Sequence, residues 1–201
     1  MIIETVKSLR WADFFIYIVT DPRALARLIR TNDPPSFMLS FLPPMLAAIA
    51  FVISSSMLSS QSGFFYYKIS YGWVLLSMLS ILQILIYSSL TSFSLEFTGN
   101  KSSIKEIITI CNFAQFPVSF LLPLVYIFSV INFAPVYFFL LFSMAFIVWS
   151  SYISISGISE LYNLSFSKSL FAYFFPYILI SVSGFFIFIL IAVNLIGFAV
   201  G

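Results

Sequence analysis

Residues 170–199 read LFAYFFPYILISVSGFFIFILIAVNLIGFA, without one acidic or basic side chain, and Phe185 to Ile191 is apolar at every position. A helix needs about 20 mostly apolar residues to cross a bilayer, and this stretch supplies them. A membrane β-strand would instead alternate polar and apolar side chains over about ten residues. The stretch therefore points to an all-α, polytopic helical bundle.

Four more stretches of the same kind precede it: Ser36 to Leu58, Gly72 to Leu95, Ile107 to Ile131 and Pro135 to Ser156. With Leu170 to Ala199 they make five expected transmembrane helices, none with a charged side chain in its interior. The connections are short, so consecutive helices should be antiparallel neighbours. Residues 1–35 form a separate amphipathic segment, and residues 36–201 the transmembrane domain.

The composition excludes other classes. Of 201 residues, 61% are hydrophobic and only 8% are charged, against about 25% charged in soluble domains. So few charges cannot cover a soluble surface, and a disordered chain would need low hydrophobicity. The chain has no His and a single Cys, Cys111. An intramolecular disulfide and a Cys/His metal site are thus excluded, and no metal or other cofactor is expected. A net charge of +2 is too small to suggest nucleic acid.

Orientation follows from the basic residues. With five spans, Lys7, Arg10, Arg23, Arg27, Arg30, Lys101, Lys105 and Lys168 fall on one side and Lys68 alone on the other. The expected topology is N-terminus in, C-terminus out. Phe64, Phe65, Tyr66, Tyr67, Tyr71 and Trp73 mark the outer boundary as an aromatic belt.

The first segment is too short and polar to span, and it lacks the small-residue cleavage site of a signal peptide. Trp11, Phe14, Phe15 and Ile18 recur at helical spacing. Asp21-Pro22 is a start signal, with Asp capping and Pro at the first helical position. In the following helix Arg23, Arg27 and Arg30 share one face, and Leu25, Leu28 and Ile29 the other. Two short interfacial helices on the cytoplasmic leaflet are expected. The three arginines would contact lipid headgroups, each basic residue near an anionic surface contributing about 1 kcal/mol.

The remaining polar groups suggest positions rather than a reaction. Glu96, Glu106 and Glu160 fall at predicted helix ends. With Lys105 and Lys168 they can form a latch across the cytoplasmic face or a docking surface for a partner. Ser103-Ile104-Lys105-Glu106 has the form of a capping box. Gln83, Asn112, Gln115, Asn132 and Asn194 lie within or beside the apolar stretches and should face other helices. Ser88 with Ser92, and Ser150 with Ser154, have the spacing of close helix contacts. Pro43, Pro44, Pro117, Pro123 and Pro176 should kink their helices. No arrangement suits hydrolysis or metal catalysis. Thr98-Gly99-Asn100-Lys101-Ser102 lacks the earlier glycine and the strand of a phosphate loop.

Three stretches carry a resemblance. They are Val19-Thr20-Asp21-Pro22 leading into a proline-bearing first span, Thr98 to Glu106 leading to Phe116-Pro117, and Trp149 with Gly157 and the stretch Glu160 to Leu170. Together they resemble the Yip family, the Ypt/Rab-interacting type of five-span membrane protein. The lead-in, shorter than the cytosolic region of eukaryotic members, and the Ser-, Phe- and Ile-rich composition suit a bacterial relative in the inner membrane. The resemblance implies a non-catalytic scaffold or accessory subunit, partnered by membrane lipids and by other membrane-protein subunits or further copies of itself. The alternative is a permease component for a neutral or lipidic substrate, with Gln83, Asn112 or Gln115 lining a cavity.

The topology is tested by single cysteines in a Cys111→Ser background. A cysteine at Lys101 should react with a membrane-impermeant maleimide only after permeabilisation, and one at Gly201 in intact cells. The reverse pattern would invert the assignment.

Overall fold

The computed structural model describes residues 11–31, 33–58 and 71–200, with the side chains of 12–31, 36–58 and 71–191. Glu4, Lys7, Arg10, Lys68, the run Phe64 to Tyr67 and the Asn194 side chain lie outside this set. The elements in chain order are α1 (Trp11–Thr20), α2 (Pro22–Thr31), α3 (Asp33–Leu39), α4 (Leu42–Leu58) and α5 (Trp73–Phe97). After α6 (Ile104–Phe113) comes a 3-10 segment (Phe116–Phe120). Then follow α7 (Leu121–Val130), α8 (Pro135–Leu161) and α9 (Phe166–Val200).

Five helical stretches are long and apolar enough to cross a membrane: Ser36–Leu58, Trp73–Phe97, Ile104–Val130, Pro135–Leu161 and Phe166–Ile191. Several extend beyond the apolar run that announces them. α6 starts before Ile107, α8 continues past Ser156, and α9 begins before Leu170. The extensions carry Lys105, Glu106, Glu160 and Lys168. A helical backbone satisfies its own hydrogen bonds whether its side chains meet lipid or water, so helices continue where hydropathy stops.

Proline divides two spans rather than bending them. Ser40 and Phe41 form a turn, and Pro43-Pro44 lies in the first turn of α4. Two successive residues without N–H cannot continue α3, whereas the first turn of a new helix has no use for those donors. Likewise α6 stops at Phe113, Pro117 sits in the 3-10 segment, and Pro123 falls in the first turn of α7. Only Pro176 lies in the middle of a described continuous helix, α9.

The apolar faces of the first two helices, α1 and α2, are covered by the bundle itself. Phe14, Ile18, Leu25, Ala26 and Ile29 are at most 1% exposed, and share one core with Leu95, Ile107, Ile110, Phe113, Ile153, Ile158 and Leu161. α2 packs along α8 and touches α6. Phe14 stacks on Phe113 at 5.3 Å, and Phe15 meets Phe116 at 4.9 Å. An apolar stripe has the same chemistry whether lipid or protein covers it, and here the broken first and third spans leave protein surface to receive it.

A second, smaller core joins Leu121, Val125 and Phe146 with Leu58, Phe142 and Trp149. α9 contacts α5 and α8. Beyond Pro176 every described side chain, from Tyr177 to Ile191, is exposed.

α8 packs tightly on α6 at Gly157. A Cβ there would stand 2.6 Å from Ile110 Cδ1 and nearer still to Cγ1. Gly157→Ala should therefore lower stability by about 1–3 kcal/mol, the usual cost of overpacking, read as a fall in melting temperature in mild detergent. Gly184→Ala, with nothing within 4 Å, should leave it unchanged.

Candidate functional site

Two regions hold the polar chemistry: the charged end of the bundle and a cavity at membrane depth.

At the charged end, Asp21 caps α2 as expected. Its Oδ1 accepts from the backbone N–H of Arg23 at 3.1 Å and of Ala24 at 3.2 Å. Arg27 lies 3.9 Å from Asp21 and 3.7 Å from Glu160. This joins the start of α2 to the end of α8. Both contacts are long and partly exposed, and such pairs contribute about 0–1 kcal/mol. Arg23 and Arg30 are exposed on the same helix. Since the apolar face of α2 meets protein, the arginines point away from the core rather than sit above a buried lipid-facing stripe.

α5 ends in a turn closed by Gly99. Its φ of +85° lets the Asn100 N–H reach the Leu95 carbonyl at 3.0 Å, the glycine-dependent helix stop. Glu96 accepts from the Ser102 hydroxyl at 3.3 Å, and Ser102 also bonds Ser92. Lys105 lies 5.5 Å above the Phe37 ring. Lys168 is exposed in the first turn of α9.

The capping box at Ser103 does not form. Ser103 has the extended backbone of an N-cap, but no side-chain capping bond is made. Tyr162 occupies the place instead. Its hydroxyl accepts from the Ser103 N–H and donates to the Ser103 carbonyl, both at 3.1 Å. The phenol therefore clamps the start of α6 to the end of α8. Burial pushes its pKa above the ordinary 10.0, with the neighbouring Glu106 adding to the rise and Arg30 opposing it.

The cavity lies between α5, α6, α8 and α9 and has a volume of about 130 Å³. From α5 come Ser80, Gln83 and Tyr87, from the end of α6 comes Cys111, and Gln115 follows just beyond it. α8 contributes Ser150 and Ser154, and α9 contributes Tyr173 and Tyr177. Gln83 is the eleventh residue of α5. At 1.5 Å per residue it stands about 15 Å from one end of that helix and about 21 Å from the other. The cavity is thus near the middle of the span.

Two of its tyrosines are committed. Tyr87 donates to the Tyr173 carbonyl, and the Tyr173 hydroxyl donates to Ser151 Oγ at 3.1 Å. The carbonyl that Tyr87 reaches belongs to α9, so this bond ties α5 to α9 just before Pro176. Other groups have no such commitment. Ser150 Oγ is buried with no hydrogen-bond partner. None of the hydrogen bonds among the described residues uses the amide of Gln83 or Gln115. The lining holds no carboxylate, ammonium or guanidinium group.

Of the amides expected at such a site, Gln83 and Gln115 are present and Asn112 is elsewhere. Asn112 is fully buried and donates to Ser40 Oγ at 3.1 Å, tying α6 to the break in the first span. The tyrosines, Cys111 and Ser80 were not anticipated. A signal for them exists: Gln83 with Tyr87, Cys111 with Gln115, Ser150 with Ser154 and Tyr173 with Tyr177 are four i, i+4 polar pairs, one on each lining helix segment.

Five apolar spans, whose charged side chains among the described residues lie at one end, and neutral polar groups inside define an integral membrane protein of the helical class. A family model described as Yip1 domain matches residues 16–189, and the chain belongs to that family. No curated protein and no solved structure matches it.

Tyr162→Phe removes both bonds to Ser103 and should cost about 1–3 kcal/mol, because a half-buried N–H loses its partner. Glu160→Gln should change stability by less than about 1 kcal/mol. The raised Tyr162 pKa means that the folded state binds more protons than the unfolded state above pH 10. Stability should therefore fall as pH rises through that value, less steeply in Tyr162→Phe. Melting curves at pH 8 and at pH 11 check all three expectations.

Proposed function

We propose that this Yip1-domain protein is a non-catalytic scaffold or accessory subunit of a membrane assembly, with its charged end in the cytoplasm. The observation that carries the reading is the partition of charge. Every acidic or basic side chain within a described span is at one end: Glu96, Lys105, Glu106, Glu160 and Lys168. Beside them stand Arg23, Arg30 and Lys101, exposed to solvent. An ion-coupled carrier or proton relay keeps an ionisable group at membrane depth, whereas a docking protein needs its charges where partners arrive. Arg23, Arg27 and Arg30 are assigned to anionic headgroups or to an acidic partner surface. The partners on this reading are lipids and other membrane subunits, or a second copy.

A second reading, a permease component for a neutral solute, is favoured by the cavity alone. It has polar groups at the right depth, and no charge that would restrict it to ions.

Purification in mild detergent, followed by mass spectrometry of the co-purifying chains, separates the two. The scaffold reading expects a stoichiometric second membrane protein, or a defined oligomer, that is lost in the triple variant Arg23→Glu, Arg30→Glu, Lys101→Glu. A lone monomer that moves a neutral solute into liposomes would overturn it in favour of the second reading.

A further inference from the structure

We infer that the cavity between α5, α6, α8 and α9 binds a neutral, hydroxyl-bearing group about the size of glycerol, presented from the membrane side at Gln83. The inference stands whether the protein anchors an assembly or carries a solute, since either kind of bundle can hold such a ligand.

Size comes first. An engineered cavity of about 150 Å³ holds a benzene ring. The volume of about 130 Å³ therefore admits a group of about six non-hydrogen atoms, which is the size of a glyceryl headgroup. Charge comes second. An ionised ligand buried without a counter-charge is strongly disfavoured, and the lining offers no counter-charge. That excludes phosphates, carboxylates and ammonium compounds.

Hydrogen-bonding capacity comes third. Ser150 Oγ is buried and unpartnered, and the amides of Gln83 and Gln115 add donors and acceptors that no described residue uses. A hydroxyl both donates and accepts, so a polyhydroxyl group matches this mixed set, whereas a ligand that only accepts would leave acceptors unpaired. Access comes fourth. Gln83 is exposed, although it stands near mid-span. In hydrocarbon an exposed amide needs a polar partner. Its place at the cavity rim makes it the group that meets a headgroup arriving sideways from the bilayer. The source of that headgroup is a diacylglycerol-type lipid or free glycerol, which share this chemistry.

The test uses the full chain in phosphatidylcholine nanodiscs and a diacylglycerol carrying a diazirine close to its glycerol. Photolysis and peptide mass spectrometry then locate the adducts. Adducts should concentrate on α5 and α9 beside Gln83 and Tyr177, and fall at least fivefold with excess dioleoylglycerol. Competition by glycerol as well would identify the free polyol as a ligand, and competition by dioleoylglycerol alone would identify the lipid. Both outcomes support the site.

Gln83→Leu, a change on an exposed face, should reduce labelling at least fivefold without altering the melting temperature. Ser150→Leu should do the same by filling the cavity, and if it does not fold, Gln83→Leu still decides. Adducts spread over all lipid-facing helices, resistant to both competitors or unaffected by Gln83→Leu, would overturn the inference. So would a crosslink from a cysteine at Gln83 to the same position in a second copy.

Discussion

The bilayer interior offers no hydrogen bonds, and every polar atom placed there must find its partner within the protein. Much of this bundle is arranged around that constraint. Serines and threonines in the spans bond back to carbonyls one turn earlier in their own helices, as Ser77 does to Trp73 and Thr91 to Tyr87. Some hydroxyls reach a backbone carbonyl of another helix, as Tyr87 does to Tyr173. Asn112 has no turn of its own to bond to and reaches Ser40, at the break between α3 and α4.

The same constraint explains why the polar cavity stands out. A native interior leaves few buried polar atoms unpaired, and one of those in this bundle, Ser150 Oγ, stands in the cavity wall with the unused amides of Gln83 and Gln115. Around the cavity the packing is otherwise aromatic and continuous, with Tyr87 in contact with both Tyr173 and Tyr177 at ring distances of 5.4 and 5.2 Å. The tyrosine rings form part of the wall, while the hydroxyls of Tyr87 and Tyr173 are spent on backbone and serine. The amides and serines are left to face the space.

How much was legible in the sequence depended on how local the deciding interaction was. The five spans were legible because an apolar run states its own solvent. The Asp21 cap was legible because both donors to its single acceptor oxygen lie within three residues. The cap at Ser103 was not, because the winning group, Tyr162, is 59 residues away. The amphipathy of α2 was plain, yet the surface it covers was not, since a Leu25–Ile29 stripe fits lipid and α8 equally well. The amides of Gln83 and Gln115 stood out as rare residues in apolar sequence. The tyrosines did not, because a Tyr in a membrane span reads first as an interfacial anchor. Prolines announced disruption but not its form, which depends on whether a new helix can start there.

α9 has a consequence of scale. Its 35 residues make a rod about 52 Å long at 1.5 Å per residue, against a hydrocarbon layer of about 30 Å. Burying the whole rod would demand a tilt of about 55°, outside the range of about 0–40° that membrane helices adopt. Its side chains from Tyr177 to Ile191 are exposed on the surface of the chain. Its length therefore has to be reconciled with bilayer thickness. In a thin membrane its apolar end is forced out towards the headgroups, and in a thick one it is accommodated. Membranes of different depth will not be equivalent hosts for this chain.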